Sequence, residues 1–426
     1  MKKLKKQNGI TLVALVITII ILLILAGISI SALTNQGLFE KSKEAKEKSE
    51  AAQRNESIIL ENYLAQMNVY DTNNSKTEEE KFENVDKTKT NPEAAMPRNA
   101  SVVECDANKG IVIKDSNNNE WTWVEVPKTT VFTTAKKADE YDKIKADLRE
   151  YSKDYREGKT GQGLNWEDEW YDGCGIVAEN GKTGEEIYAE MYNKMLSSVY
   201  TNGGFWISRY EAGIAETNTD ATKNEIQNVR AAHSDITNES PKAVSQANRI
   251  PYNYVYCSEA QKLASEMSTD SSKTSSLLFG IQWDLTCKFL QEKGKLSVAQ
   301  IKSGDGVGSI NWGNYINSSI ILTKGKYNTI PSNSDSKWVN ITSDAKNAQM
   351  LLTTGASEAA HNMNIYDFAG NEWEWTLEHA TSDTRYPCAR RGGSFKHTSS
   401  DTPVAYRDDN STSSSNDDVG FRSTLY

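Results

Sequence analysis

The chain has 426 residues, enough for two or three domains, and it carries a formal net charge of −10. No basic block follows the lysines of the first six residues, which excludes the basic face that nucleic-acid binding requires. Ten Trp and nineteen Tyr residues exclude a disordered chain, and five widely spaced Cys residues without a CxxC pair exclude the common zinc and thioredoxin-like signatures.

The first predicted element is an apolar segment, residues 10–33, that contains no charged side chain. As a helix it would extend roughly 36 Å, enough to cross a hydrocarbon core of ~30 Å. The lysines before it favour the cytoplasmic side, so the sequence predicts a transmembrane segment with the rest of the chain outside the cell. The alternative is a secretory signal peptide, but its apolar region should be only about 7–15 residues long.

The junction KKQNG/ITLVALVITII resembles the leader of type IV prepilins. That resemblance implies a leader over residues 1–9, cleaved by a prepilin peptidase between Gly9 and Ile10, with methylation of the new terminus. The family usually has Glu at the fifth mature position, where this chain has Ala14. A minor or tip pilin, or a subunit that stays in the membrane, therefore fits better than a subunit in the middle of a filament, and an ordinary membrane anchor remains the alternative.

Residues 34–70 are predicted to form a helical stalk. From residue 38 they contain no Pro, and small or apolar side chains recur near helical spacing among Lys and Glu. Residues 71–98 are poor in large apolar side chains and contain two Pro residues, which is typical of a linker or of a loosely packed edge.

The remaining residues, 99–426, are predicted to form one α+β body with many irregular loops. Short apolar runs bounded by Gly, Asn and Ser predict strands at 121–126, 204–210 and 250–256. Helical spacing predicts helices at 139–155, as a charged surface insertion, and at 277–293.

An ordered set of motifs in this body resembles the formylglycine-generating-enzyme (sulfatase-modifying factor) family. The set comprises Phe205–Gly213, Gly280–Thr286, Asn364–Thr376, Arg391–Phe395 and Val419–Arg422. The resemblance spans roughly residues 120–426. It implies a variant of the C-type lectin fold with little regular secondary structure.

The motif around residue 370 carries clustered carboxylates at Asp367, Glu372 and Glu374. Oxygen ligands of this kind suit a calcium ion. By resemblance, a Ca²⁺ site would use the side chains of Asp367 and Glu374 with the carbonyls of Gly370 and Glu372. The alternative is a solvated acidic turn without a metal.

Two further features of these motifs have structural interpretations. Trp373 and Trp375 alternate with the glutamates, so on a strand both rings would point to one face and pack in the core. The motif arginines Arg390, Arg391 and Arg422 are expected to tie the Gly-rich loops to carboxylates.

The enzyme family depends on two copper-binding cysteines after its Arg-Gly-Gly-Ser motif. Counted from Ser394, those positions fall near His397 and Thr402, and no Cys follows Cys388. Because Cu(I) requires soft ligands such as thiolates, we expect no copper and no enzyme activity. An oxidoreductase of that family is the alternative.

Residues 396–418 are rich in Ser, Thr, Asn and Asp and lie between two motifs, so they are expected to form an anchored exposed surface rather than core. In relatives diversified by retroelements, this stretch is the variable ligand-binding face. We therefore expect His397, Tyr406, Arg407, Asp408 and Asn410 to lie together on an exposed face. A polar loop without any partner is the alternative.

Together these features predict a non-catalytic, adhesin-like binding protein, anchored in the membrane or carried on a surface pilus. Its expected partners are an extracellular protein or glycan, the membrane, other pilin subunits and a prepilin peptidase. A purely structural pilus or pseudopilus subunit is a further alternative.

Overall fold

The structure is a computed structural model, and the following residues are described: 82–156, 166–215, 234–303, 308–318, 320–322, 324–329, 338–341, 345–346 and 349–426. The expected leader at 1–9, transmembrane segment at 10–33 and stalk at 34–70 lie outside these residues. Among the helices that are described, none is both long enough and apolar enough to cross a bilayer.

The described residues form helices and short strands in a mixed α+β arrangement, as predicted. The helices are α1 (Lys128–Val131), α2 (Tyr141–Tyr151), α3 (Lys153–Arg156), α4 (Gly184–Asn202), α5 (Cys257–Ser265), α6 (Gly280–Glu292) and α7 (Val298–Lys302), with 3-10 turns at Glu93–Ala95 and Glu358–Ala360. The strands are β1 (Ser101–Glu104), β2 (Val112–Lys114), β3 (Glu120–Glu125), β4 (Gly204–Ser208), β5 (Gly213–Ile214), β6 (Ala243–Val244), β7 (Ser275–Leu277), β8 (Ile321–Leu322), β9 (Lys326–Asn328), β10 (Val339–Asn340), β11 (Ala345–Lys346), β12 (Leu351–Leu352), β13 (His361–Asn362), β14 (Ile365–Tyr366), β15 (Trp373–His379), β16 (Cys388–Arg391), β17 (Arg407–Asn410), β18 (Val419–Phe421) and β19 (Ser423–Leu425).

The larger sheet has six strands in the order β1-β2-β3-β4-β19-β7, and all its pairs are antiparallel. Strands β3 and β4 correspond to the predicted strands at 121–126 and 204–210. The rings of Trp123 and Trp206 meet edge to face with centroids 4.9 Å apart in the core. The carboxy-terminal strand β19 lies between β4 and β7, so the end of the sequence is an interior part of the sheet.

A second sheet has four strands in the order β17-β16-β15-β18, and it contains residues of three of the motifs. Strand β15 pairs with β18 in parallel, with Trp373 opposite Val419. It pairs with β16 in antiparallel, with Trp375 opposite Arg390. These pairings bring three motifs that are separate in sequence into one sheet.

Helix α6 confirms the helix predicted at 277–293. It is buried along most of its length, and its amino terminus is held by a carboxylate. Asp168 accepts the backbone N–H groups of Gly280 at 2.6 Å and Ile281 at 3.1 Å. An acidic group at this end satisfies amide donors that have no partner inside the helix.

The predicted helix at 139–155 is divided into α2 and α3, and it is not a surface insertion. Ile144 and Leu148 are fully buried in the core. These two residues lie four apart, so they form one apolar face on an otherwise charged helix. The high charge of the segment obscured that face in the sequence.

The strand predicted at 250–256 is wrong. The segment makes a single isolated bridge, between Pro251 and Gly213, and then leads into α5 at Cys257. Proline lacks the N–H that a sheet interior requires. Tyr254 has a φ of 52°, a left-handed conformation that ends any extended run.

The linker predicted at 71–98 is also wrong for its described part, residues 82–98, which packs against the body. The carbonyl of Ala95 accepts a hydrogen bond from Trp206 Nε1 at 3.0 Å. The hydroxyl of Thr90 accepts one from Trp123 Nε1 at 2.8 Å. Because buried indole N–H groups need partners, this segment completes the core in spite of its polar composition.

Candidate functional site

The acidic motif forms a sharp turn that leads into β15. Asp367, Gly370 and Asn371 all have positive φ angles, of 54°, 74° and 61°. A Cβ on Gly370 would lie 2.2 Å from the carbonyl oxygen of Asn314, so glycine is required there. The turn directs the side chains of Asp367, Glu372 and Glu374 into the interior, where all three are buried.

Glu374 is bound by an arginine. Arg422 Nε lies 3.2 and 3.1 Å from the two carboxylate oxygens of Glu374, and Arg422 Nη2 lies 2.9 Å from one of them. The same guanidinium donates to the carbonyls of Ser208 and Tyr366, both at 2.7 Å. Arg422 therefore neutralises Glu374 and joins β18 and β19 to the loop before β15.

The other carboxylates of the motif are only partly satisfied. Asp367 Oδ2 accepts the N–H of Gly355 at 2.6 Å, whereas Asp367 Oδ1 and both carboxylate oxygens of Glu372 have no hydrogen-bond partner among the described residues. Burial raises the pKa of Asp367 to about 7 and raises the pKa of Glu372 well above its usual range. The solvated acidic turn is therefore wrong, because these groups are in the core.

The implied calcium set does not fit these side chains as they stand. Arg422 occupies both oxygens of Glu374, and the described residues contain no group of three or more His, Cys, Asp or Glu side chains arranged to hold a metal ion. The unpartnered Asp367 Oδ1 is the one oxygen of the expected pair that is open to a cation. A calcium ion bound by Glu374 would have to displace the guanidinium of Arg422, and a chelation experiment distinguishes the two.

A second set of buried ion pairs holds the neighbouring strands. Arg391 Nη2 lies 2.9 Å from Asp284 Oδ1, and Arg407 Nε lies 3.0 Å from Glu378 Oε1. Arg407 also pairs with Asp284 and donates to the carbonyls of Tyr155 and Arg156. Arg391 and Arg422 therefore tie their motifs to core carboxylates as predicted, whereas the partner of Arg390 is the partly exposed Asp408.

This network corrects the expectation for Arg407, which is buried and lies on no exposed face. It begins β17 on the side that faces α6, and its charge is compensated inside the body. The expectation that residues 396–418 avoid the core is wrong at Val404 and Ala405 as well. The side chains of Val404 and Ala405 pack in the hydrophobic core, so this part of the loop is buried.

The other expected ligand residues lie near a buried indole. The Arg390 guanidinium lies 4.8 Å from the centroid of the Trp373 ring, and the His397 and Tyr406 rings lie 5.6 and 6.0 Å from it. Asp408 accepts from Arg390 Nη2 at 2.6 Å and Nε at 2.8 Å. We call this group the Trp373 face and define it as Trp373, Arg390, His397, Tyr406 and Asp408.

Most of the Trp373 face reaches solvent. Trp373 itself is buried and forms the floor, whereas 41% of the His397 side chain and 27% of the Asp408 side chain are exposed. Tyr406 and Asn410 are half-buried. Asn410 lies two residues beyond Asp408 on β17, so the two side chains leave the strand on the same side.

Beside this face, Ser394, His397 and Asp418 form a hydrogen-bonded chain. Ser394 Oγ donates to Asp418 Oδ2 at 2.9 Å and contacts His397 Nδ1 at 2.8 Å. Because the single hydroxyl proton is directed to the carboxylate, His397 Nδ1 is the donor in the second bond. Burial lowers the pKa of His397, which favours its neutral form.

Ser394 is the central group of this chain of hydrogen bonds. The carboxylate of Asp418 and the imidazole of His397 both hydrogen-bond this one hydroxyl. Ser394 is also fully buried and accepts the backbone N–H of Lys396 at 3.3 Å. Its hydroxyl is therefore used in holding the loop that carries His397.

Sequence reasoning missed Trp373 and Arg390 as parts of this face. Trp373 was interpreted as core, which is correct for its burial, and Arg390 as a structural tie, which is correct for its pair with Asp408. A strand pairing that places Arg390 and Asp408 directly opposite each other brings them together. The sequence alone contains no signal for that register.

Comparisons with known proteins found a matching family model and similar solved structures. The family model of the sulfatase-modifying factor enzyme 1-like domain matches residues 177–425. No curated protein matched the chain. Among solved structures, Treponema denticola variable protein 1 is similar at 17% identity, covering 52% of this chain and 84% of its own with a TM-score of 0.27. CarF is similar at 14% identity, covering 52% of this chain and 85% of its own with a TM-score of 0.30.

The matched family segment contains β4, α6 and all the motif strands from β15 to β19. It also spans more than half of the sequence. This chain therefore belongs to the family of sulfatase-modifying factor enzyme 1-like domains.

Proposed function

We propose that this protein is a non-catalytic, surface-displayed binding protein whose ligand docks on the Trp373 face. The observation that carries the proposal is the arrangement of partly exposed His397, Tyr406 and Asp408 around a rigid floor. An aromatic side chain supplies apolar contact at low entropic cost, and the polar groups around it supply hydrogen bonds. Asn410 extends the polar rim along β17.

The face supports such a role because side chains around the Trp373 ring are fixed by their own contacts. The Arg390 guanidinium stacks over Trp373 and is fixed by Asp408 on the neighbouring strand. A binding surface whose side chains are already ordered loses less entropy when it binds a ligand. The ligand class that fits is an extracellular protein or glycan, since both offer hydroxyl and amide groups to this rim.

Two observations favour a binding protein over an enzyme. No Cys follows Cys388, and the positions that correspond to the copper ligands of the resembling enzymes are His397 and Thr402. A single imidazole is a poor substitute for two thiolates as a Cu(I) ligand set. The hydroxyl of Ser394 is engaged with Asp418 and so offers no alternative nucleophile.

Display at the surface is supported by the amino-terminal sequence. The apolar run at 10–33, its basic leader and Gly9 fit a prepilin-type signal cut before Ile10. The processed chain would be held in the membrane or joined to other pilin subunits on a pilus. In either arrangement the body faces the medium, where a binding face is accessible.

A binding screen of the full chain in detergent tests this function. The probes are an array of host glycans, an array of bacterial surface polymers and a panel of extracellular matrix proteins. We expect at least one hit that is lost when His397, Tyr406, Asp408 and Asn410 are together replaced by Ala. The matched control replaces the exposed residues Glu150 and Glu185 by Ala. Hits that survive the fourfold change would contradict the proposal.

A further inference from the structure

A polar cleft lies between helix α4 and the loop that leads into β7, and it shares no residue with the Trp373 face. Its volume is about 560 Å³, which lies within the range of small-ligand sites. Hydroxyl and amide side chains line much of it, namely Asn193, Ser197, Ser198, Thr201 and Asn202 of α4 and Ser272 of the loop. Because these groups donate and accept hydrogen bonds, the lining suits a ligand with many hydroxyl groups.

Two lysines, Lys194 and Lys273, line the same cleft. Lys194 Nζ donates to Thr274 Oγ at 2.5 Å, and neither lysine forms an ion pair with a carboxylate of the described residues. Among the described residues of the lining, Glu190 has the only side-chain carboxylate, and it accepts from Lys182 Nζ at 2.6 and 2.7 Å. The cleft therefore carries an excess of positive charge in a chain whose formal net charge is −10.

The loop that carries Lys273 is ordered by its own hydrogen bonds. Asp270 accepts the backbone N–H of Ser272 on its carboxylate at 2.9 Å and that of Lys273 on its carbonyl at 3.0 Å. Thr274 exchanges backbone hydrogen bonds of 2.6 and 3.1 Å with Tyr426. Because a site that is already ordered loses less entropy when it binds a ligand, this loop favours binding.

The surroundings of Lys273 disfavour its own positive charge. Burial lowers the pKa of Lys273, the carboxylate of Asp270 opposes this change, and the positive charge of Lys194 adds to it. A negatively charged group bound beside the two lysines would offset both unfavourable effects. The charge of the cleft therefore favours an anion.

A second polar cleft adjoins the first at Lys273. Its volume is about 310 Å³, and Lys273 lines both clefts. Hydroxyl side chains again line much of it, namely Ser265, Ser268, Thr269, Ser271, Thr274 and Ser275. The two clefts together provide room for a ligand longer than one sugar unit.

We propose that these clefts bind an acidic saccharide, whose carboxylate, sulfate or phosphate group is held by Lys194 and Lys273. The hydroxyl and amide side chains of the lining would hydrogen-bond the sugar hydroxyls, and the half-buried Tyr141 offers an aromatic ring to the apolar side of a sugar. An acidic peptide is the competing ligand. Apart from Tyr141 and Tyr426, however, the described residues of the larger cleft include no large apolar side chain to anchor a peptide. The site is additional to the Trp373 face and does not depend on the function proposed for that face.

Binding of the full chain in detergent to matched saccharides tests the proposal. The probes are sialylated lactose with lactose, sulfated with unsulfated N-acetylglucosamine, and phosphorylated with unphosphorylated mannose, all at physiological ionic strength. We expect at least one acidic member to bind at least tenfold more tightly than its neutral parent. Equal binding within every pair would overturn the proposal. Equally effective competition by a peptide of Asp and Glu residues, or by inorganic sulfate or phosphate, would overturn the assignment to a saccharide.

Two variants place the binding in the cleft. Lys194→Gln combined with Lys273→Gln should lower the affinity for the acidic saccharide at least tenfold. Ser197→Trp keeps both lysines but fills part of the larger cleft, so it should also lower the affinity, whereas non-specific attraction to the lysines would survive this change. The matched control, Lys137→Gln combined with Lys262→Gln, removes the same charge from exposed positions outside the clefts and should bind normally.

The same measurement separates this site from the Trp373 face. The variant in which His397, Tyr406, Asp408 and Asn410 are replaced by Ala should bind the acidic saccharide as the unchanged chain does. Normal binding by the double Gln variant, or loss of binding in the fourfold Ala variant alone, would overturn the proposal. Melting curves confirm that each variant is folded, and if Ser197→Trp does not fold, the double Gln variant decides.

Discussion

At the scale of single residues, the arginines of the motifs and Arg407 of β17 divide between two roles. Arg391, Arg407 and Arg422 are buried and each meets a carboxylate in the core. Arg390 lies nearer the surface and pairs with the partly exposed Asp408. Burial therefore decides which of these arginines stabilise the fold and which can contribute to binding.

We predict different consequences for Arg407→Ala and Arg390→Ala. Loss of Arg407 leaves Asp284 and Glu378 with less compensating charge in the core, which should cost about 3–5 kcal/mol of unfolding free energy. Loss of Arg390 removes a pair near the surface and should cost about 1 kcal/mol or less. Urea unfolding of both variants measures the difference, and equal costs would contradict the division of roles.

Glu374 provides a second prediction at this scale. Since Arg422 already neutralises this carboxylate, addition of a calcium chelator should leave the melting temperature of the full chain unchanged. An ion that binds only the folded state stabilises that state by mass action. A fall of several degrees in the melting temperature upon chelation, reversed by added Ca²⁺, would therefore contradict this prediction and favour calcium at Asp367 and Glu374. Metal analysis of the purified chain supplies the control.

At the scale of elements, the helix α4 was not predicted although its sequence carries clear signals. Thr183 accepts the N–H of Glu186 at 3.2 Å, and the Glu186 carboxylate accepts the N–H of Thr183 at 2.8 Å. Gly203, with a φ of 71°, ends the helix. Tyr188 and Tyr192 lie four residues apart and are both buried, which is the spacing of one helix face.

The capping pair of α4 can be tested directly. Thr183→Ala removes the side-chain acceptor at the start of the helix and should lower the free energy of unfolding by about 1 kcal/mol. Thr183→Ser keeps the acceptor and should cost much less. Denaturant titration compares the two variants, and an equal loss in both would show that the cap is not the cause.

The sequence predicts the helices and strands of this body better than it predicts which of their side chains are buried and which residues they contact. Strands β3 and β4 and helix α6 follow from local apolar patterns, whereas the burial of Ile144 or Arg407 depends on partners far along the chain. The sequence predicts that His397, Tyr406 and Asp408 lie near one another because their segment is anchored by the motifs Arg391–Phe395 and Val419–Arg422. The floor made by Trp373 and Arg390 depends on strand register, which no local pattern specifies.

At the scale of the whole molecule, the proposed function combines ligand binding by the body with a membrane signal predicted in the amino-terminal sequence. The body belongs to one compact unit, Glu78–Tyr426. The membrane signal lies outside the described residues and depends on the sequence of residues 1–33. The two parts therefore need separate tests.

Processing of the signal is tested by mass spectrometry of the membrane-extracted protein. We predict that the mature chain begins at Ile10, with a methylated amino group, because a basic leader, Gly9 and an apolar run occur together. A Gly9→Val change should block the cleavage while membrane insertion is retained. A chain that keeps Met1, or one cut after residue 33, would contradict the pilin-like signal.

The central claim is that the Trp373 face binds the ligand, and affinity measured on matched variants tests it most directly. Three proteins are titrated with the strongest hit of the binding screen. They are the full chain, the variant in which His397, Tyr406, Asp408 and Asn410 are all replaced by Ala, and the control in which Glu150 and Glu185 are replaced by Ala. The account predicts at least a tenfold loss of affinity in the fourfold variant alone, with melting temperatures within a few degrees of one another, because these side chains are partly exposed. Unchanged affinity in a folded fourfold variant would contradict it.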